Sequence, residues 1–501
     1  MRRRDALRAG GALLGAGLLP GRAVADAAGV AGSDATGVGD SDVVGSDGYE
    51  PIGRLDLEGT KEAVVGPDGE AAYLALTNGY ATVDLSDPSN PAVLAERRGL
   101  REDAEAGALR QVYDVKHDDD TLAVVGPANP GVEGSSGALL VDVSDPGAPG
   151  ERAFFGTDYP IHNCFLDGST LYLTGNGAGG NPLVVVDVGG GEPTELARWS
   201  LTDHEAAWRD VAPGLRVLHD VWVNDGLAAL VYWDAGTYLL DVSDPAAPEH
   251  VGTVPAGDPA ELADPPAREA LLPPGNHHYA ATDPANDLLA IGMESWGALV
   301  DEDGEYEGGP SGVELYDVSD PSEPELLSAV ASPESPDPTY SGVWTTAHNL
   351  EFRDGTLYTS WYQGGVKRHD LTDPTDPVEE TWWVDPDETS FWTARTAVPD
   401  EFFVASSMDI GETTAGLWTF PDEPGVGGNP DALAEGGSTD APGATGTSTA
   451  TSSPTTATPP PAATPTATST GSPTETAGSG FGALATLGGA SLALLRALGG
   501  R

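Results

Sequence analysis

VDVSDPGAP, residues 141–149, is an apolar strand that runs into Ser-Asp-Pro and stops. Ser and Asp side chains accept hydrogen bonds from backbone amides just ahead, and proline presets φ while lacking a donor, so the chain must reverse there. The phrase recurs as VDLSDPSNP (83–91), LDVSDPAAP (240–248), YDVSDPSEP (316–324) and HDLTDPTDP (369–377). VVVDVGGGEP, from Val184, keeps the strand and loses the Ser-Asp-Pro. Recurrence at a regular period is the mark of a repeat architecture.

Around each phrase the repeat divides into four short apolar runs bounded by Gly, Pro, Asp and Asn, and nothing between residues 51 and 424 keeps a helical period for long. Opening strands begin near Glu62, Tyr113, His162, His219, His277, His348 and Trp392, which makes seven. The last repeat has no fourth strand before the chain leaves. The first strand, PIGRLDL (51–57), has the form of a fourth strand and belongs to no repeat. The pattern predicts an all-β fold, a seven-bladed β-propeller of four-stranded blades over 51–424, with the N-terminal strand closing the last blade and removing open edges. The phrase resembles the LVIVD repeat of secreted bacterial and archaeal β-propeller proteins. That resemblance implies the fold and, the family having no common biochemical function, implies no activity; function must come from a site.

The 501-residue chain carries a formal net charge of −56. A surface so acidic repels phosphates and anionic headgroups, which argues against nucleic acid and against peripheral membrane binding. With eleven tryptophans and repeated apolar strands the middle is not a disordered acidic chain, and the charge reads as adaptation to high salt, where self-repulsion is screened. A single cysteine, Cys164, excludes an intrachain disulfide framework and reads as a buried, inert thiol.

Both ends read as addresses. Residues 1–25 form a signal peptide, with Arg2, Arg3 and Arg4, an apolar run, and Ala23-Val24-Ala25 as the cleavage site. The segment 3–8 resembles the twin-arginine (Tat) export motif; the alternative is an ordinary Sec signal. Residues 26–50 form a flexible leader. Residues 425–478 are a low-complexity stalk, dominated from 436 by Thr, Ser, Pro, Ala and Gly. Residues 479–501 combine a short hydrophobic helix with a basic end, and the sixteen residues 480–495 are fewer than the roughly 20 that a stable span needs. Stalk and tail together resemble the PGF-CTERM sorting signal of haloarchaeal surface proteins, with Ser479 in place of the Pro. That resemblance implies export and archaeosortase machinery as partners; the alternative is a plain membrane anchor. Either way the predicted location is extracellular, anchored at the cell surface, with membrane contact only through the C-terminal tail.

Elaborated loops lie between second and third strands and between blades, all on one face, which is where binding sits on a rigid scaffold. On that face four successive inner strands open on histidine: His162-Asn163, His219-Asp220, His277-His278 and His348-Asn349, with Tyr113-Asp114 in register before them. Imidazoles gathered at a channel mouth suit a divalent transition metal, Cu or Zn, with His162, His219, His277 and His348 as ligands. Tyr113, Asp114, Asn163, Asp220, His278 and Asn349 are then candidates for support of those ligands or for ligand binding. The competing readings are a scaffold role between blades and an organic-ligand site without metal. The loop 301–305, Asp-Glu-Asp-Gly-Glu, has hard oxygens suited to calcium and reads as a solvated acidic loop. No complete catalytic constellation is present. Two functions follow: a cell-surface module binding a small molecule, glycan or cell-envelope component, or a metal-dependent propeller enzyme. The second draws on a likeness, confined to histidine placement, to selenium-binding protein and methanethiol oxidase, and implies an oxidase.

Overall fold

The structure, a computed structural model, describes residues 49–177, 180–266, 268–283, 285–300, 306–425 and 433. The predicted signal peptide, nearly all of the leader and stalk, the C-terminal segment and the acidic loop 301–305 lie outside them. Among the described residues no helix is long and apolar enough to cross a membrane.

Seven four-stranded antiparallel sheets make a β-propeller. Inner strands are, in blade order, Thr60–Val65, Asp114–Asp118, Ile161–Asp167, Asp220–Asn224, His277–Asp283, Leu350–Arg353 and Phe391–Val398. The first six blades each run outward through three further consecutive strands. Blade five alone interrupts the run, with a small hairpin (Gly297–Leu299 with Tyr306–Gly308) between its second and third strands. Blade seven takes its outer strand from the start of the chain: Gly53–Asp56 pairs antiparallel with Gly416–Pro421, Gly53 opposite Thr419 and Asp56 opposite Gly416. Leu57, just beyond, buries its side chain among Leu74, Val83 and Leu85 of blade one and Phe402 and Leu417 of blade seven, so the closing segment also seals the seam of the ring.

The repeated phrase has two jobs. Within a blade it forms paired turns around aspartates: Asp142 accepts from Ser144 N–H (3.1 Å) and Asp145 from Gly147 N–H (3.0 Å), and the other copies match. The hydroxyl acts as donor here rather than as the expected acceptor, since Ser144 Oγ gives its proton to Asp142 (2.6 Å) and Thr372 Oγ1 to Asp370 (2.7 Å). Between blades, the proline carbonyl is a fastener. Thr82 of blade one donates to Pro146 O of blade two (2.6 Å), Ser328 of blade five to Pro374 O of blade six (2.6 Å), and Thr419 of blade seven to Pro88 O of blade one (2.6 Å). At Gly252 of blade four the Pro321 carbonyl comes so close that a Cβ would lie 1.9 Å from it. A partly buried carbonyl that gains a donor avoids the desolvation penalty of an orphaned acceptor, so these copies of the phrase serve both the turn of their own blade and the seam with its neighbour.

Candidate functional site

Each inner strand contributes one side chain to a closed ring at the loop face. Lys61 Nζ lies 5.8 Å from the Tyr113 ring centroid and 5.7 Å from that of Trp392. Centroid separations then run Tyr113–His162 6.3 Å, His162–His219 4.4 Å, His219–His278 3.9 Å, His278–His348 4.5 Å and His348–Trp392 4.3 Å. Four consecutive members are imidazoles.

Three of the four expected ligands, His162, His219 and His348, stand in this ring, and the fourth place belongs to His278, not His277. Pairing with the second strand shifts register between His277 and Tyr279, which turns His278 to the mouth. His277 takes the preceding position, filled in five other blades by the buried apolar residues Val112, Ile161, Leu218, Ala347 and Phe391 and in blade one by the buried Thr60. Its Nδ1 meets Thr237 Oγ1 at 2.8 Å and its N–H donates to Trp233 O, so it ties blade five to blade four.

The partners that orient the ring also differ from expectation. The Nδ1 of His162 bonds Ala128 O (3.1 Å), that of His219 bonds His278 O (3.0 Å) and that of His348 bonds Trp392 O. A carbonyl only accepts, so each Nδ1 carries the proton and each Nε2 keeps its lone pair. The Asx residues that follow point down the channel instead: Asp114 accepts from Cys164 N–H (2.7 Å) and pairs with Lys116, and Asn349 Nδ2 donates to Glu62. Asp220 shares their position, and Asn163 is buried beside Thr174. Cys164 is buried among apolar residues, and burial pushes its thiol well up, consistent with an unreactive thiol.

Glu294 and Tyr362 complete the site, and the repeat gave no sign of them. Glu294 follows the second strand of blade five (Leu288–Met293), and Tyr362 follows that of blade six (Thr356–Ser360) with φ +50°, a strained value for a bulky side chain. The Tyr362 hydroxyl donates to Glu294 Oε1, whose other oxygen lies 3.6 Å from His278 Nε2. His278, Glu294 and His348 offer ligand atoms all within 4.8 Å of one another, every one buried. His278 Nδ1 has no hydrogen-bond partner among the described residues.

Burial keeps the imidazoles neutral. It pushes His162 down to about 4, against the pull of its Ala128 bond, and His348 to about 3. His219 and His278 are driven well below the ordinary range by burial and then by the neighbouring imidazoles. Burial also raises Glu294 to about 8, opposed by the Tyr362 hydrogen bond. Neutral imidazoles beside one carboxyl group are donors of the kind that suit a divalent transition metal. Above them lies a cavity of about 200 Å³ with asparagines 129, 176 and 181 on one side and Trp296, Trp344, Tyr362 and Trp392 on the other. A larger groove of about 770 Å³ runs over the outer strands of blades five and six and takes no residue from the ring.

The family model of the LVIVD repeat matches residues 68–96 and 217–255. The matches cover scaffold strands of blades one and four and a single ring imidazole, His219; the other three ring imidazoles lie outside them. No curated protein matches the chain. Among solved structures it is similar to the β-propeller domain of Cps50 (Swd1) from Myceliophteria thermophila, at 8% identity over 74% of this chain and 99% of that one, with a TM-score of 0.50. It is also similar to the computationally designed Ika8 protein, at 9% identity over 72% of this chain and 84% of that one, with a TM-score of 0.42. At such identities the likeness to Cps50 speaks for fold alone.

Proposed function

We propose that this protein is an exported, surface-anchored β-propeller that holds a divalent transition metal, Zn or Cu, at its channel mouth and receives a small molecule or glycan in the cavity above it. The observation that carries the reading is the buried trio His278, Glu294 and His348, with ligand atoms all within 4.8 Å of one another. His219 and His162 continue the same row, each with Nδ1 tied to a carbonyl and Nε2 left to coordinate. Such a metal would supply Lewis acidity, and in the case of copper electron transfer, facing a half-aromatic, half-amide cavity. The residues themselves orient the donors and line the cavity with aromatic rings and with Asn176, whose side-chain oxygen has no hydrogen-bond partner among the described residues. The signal-like N-terminus and sorting-like tail support placement outside the cell, with the net charge of −56 suited to molar salt.

The adjacent histidines of blade five provide the test. His278→Ala is expected to lose most of its bound metal, whereas His277→Ala is expected to retain it and to melt at a lower temperature, because its Thr237 tie is broken. Equal metal retention by both variants would refute the assignment.

A further inference from the structure

Two histidines that take no part in the channel meet at the seam between blades three and four. His204 ends a short helix (Leu201–His204) in the connection between these blades, and His250 lies on the outer strand of blade four, Glu249–Val254. Their ring centroids are 4.2 Å apart, with the planes at 38°. Two imidazoles bound to one ion by bonds of about 2.0–2.1 Å stand roughly 4.5–5 Å apart between centroids, so a slight opening brings this pair to that spacing. Trp199 flanks the pair at 5.5 Å from His204 and 6.5 Å from His250, and Tyr238 at 6.4 Å and 5.9 Å, so both rings are held between aromatic walls. His250 is half-buried, and His204 is exposed to the ions of the medium.

We propose that His204 and His250 form a second metal site, a two-imidazole clamp on the outer surface for Cu²⁺ or Zn²⁺, with water in the remaining positions. Imidazole nitrogen favours these ions over Mg²⁺ and Ca²⁺, and of the divalent series Cu²⁺ binds such donors most tightly. His250 Nε2 meets the Thr253 hydroxyl at 2.8 Å. With the hydroxyl as donor that nitrogen keeps a lone pair, and an ion that takes it leaves the partly exposed Thr253 to turn to water. Glu205, next in the chain after His204, holds Trp208 Nε1 at 3.1 Å and adds a carboxylate that favours a cation there. The nearby Arg209 is engaged by Asp203 (3.1 Å). Two ligands open to solvent release their ion readily, whereas the buried donors of the ring hold theirs, so the outer site fills at equilibrium and empties on dialysis.

The 79 carboxylates of the chain also attract divalent ions, so the test must read nitrogen ligands. Crystals of the full chain soaked in millimolar CuCl2 are expected to show an anomalous copper peak at bonding distance from both imidazoles, absent in His250→Gln. In solution at pH 7, equilibrium dialysis against free Cu²⁺ is expected to give one equivalent fewer for His204→Gln and for His250→Gln than for the wild type. The copper lost in the variants is expected to carry nitrogen coupling in the electron paramagnetic resonance difference spectrum. After metal-free dialysis the wild type and both variants are expected to retain equal metal, because the ring is untouched. No peak at the pair, equal equivalents bound by all three proteins, or a lost equivalent without nitrogen coupling overturns the proposal. None of these results depends on whether the ring holds a metal.

Discussion

Leu57→Ala tests whether the ring is closed by its own N-terminus. Leu57 is 8% exposed and touches the cores of both blade one and blade seven, so truncation opens a cavity at the seam rather than at a free edge. A buried Leu→Ala change costs about 3 kcal/mol. With about 2.1 cal/mol/K of unfolding entropy per residue over roughly 370 residues, the propeller's entropy of unfolding is about 0.8 kcal/mol/K, and the melting temperature falls by about 4 °C. Circular dichroism in molar KCl measures this, with Leu94→Ala as control: Leu94 is 41% exposed on an ordinary outer strand and is expected to shift melting by less than about 1 °C. Hydrogen exchange in Gly416–Pro421 is expected to accelerate in the seam variant alone. If Leu57→Ala melts with the wild type, or if the 416–421 amides keep their protection, the closing strand does not hold the ring.

The blade fasteners are expected to behave independently: Thr82→Val and Thr419→Val each orphan a proline carbonyl, cost about 1–2 kcal/mol and add within error in the double variant, while Gly252→Ala, with a Cβ 1.9 Å from Pro321 O, costs more than either by thermal unfolding. For the metal-free protein, stability is expected to fall as pH drops from about 6.5 to about 4. In that window the unfolded chain takes up protons that buried His162, held near 4, refuses; this one group contributes about 3 kcal/mol, and a pH series of melts on His162→Gln should be flatter.

The scaffold was legible because its determinants are local and repeated. Ser-Asp-Pro turns and short apolar runs fix the strands, and a leftover first strand beside an incomplete last repeat fixes the closure. What the turns do between blades was not legible, since Thr82 and Pro146 meet only when two blades are packed. The site was legible to one residue. In His277-His278 the first histidine looked like the repeat position, yet the residue that follows the ring member in blades two, three, four and six is Asp114, Asn163, Asp220 or Asn349, and Tyr279 takes that place after His278. A register shift in one strand pair decided the matter. Glu294 and Tyr362 sit past strand ends, where no repeat constrains them, and backbone carbonyls as imidazole partners leave no trace in side-chain spelling. Ligands would protonate near pH 6 to 7 if exposed, whereas burial moves His162 to about 4 and His348 to about 3.

The central claim is that the imidazole ring holds a transition metal, and metal content measures it directly. Untagged protein loaded with zinc or copper at pH 7 in molar salt, then dialysed exhaustively, is expected to retain about one equivalent per chain by inductively coupled plasma mass spectrometry, as a site of buried neutral imidazoles and one carboxylate requires. Retention below about 0.1 equivalent of either metal would contradict the account and leave the ring as a device for holding blades together.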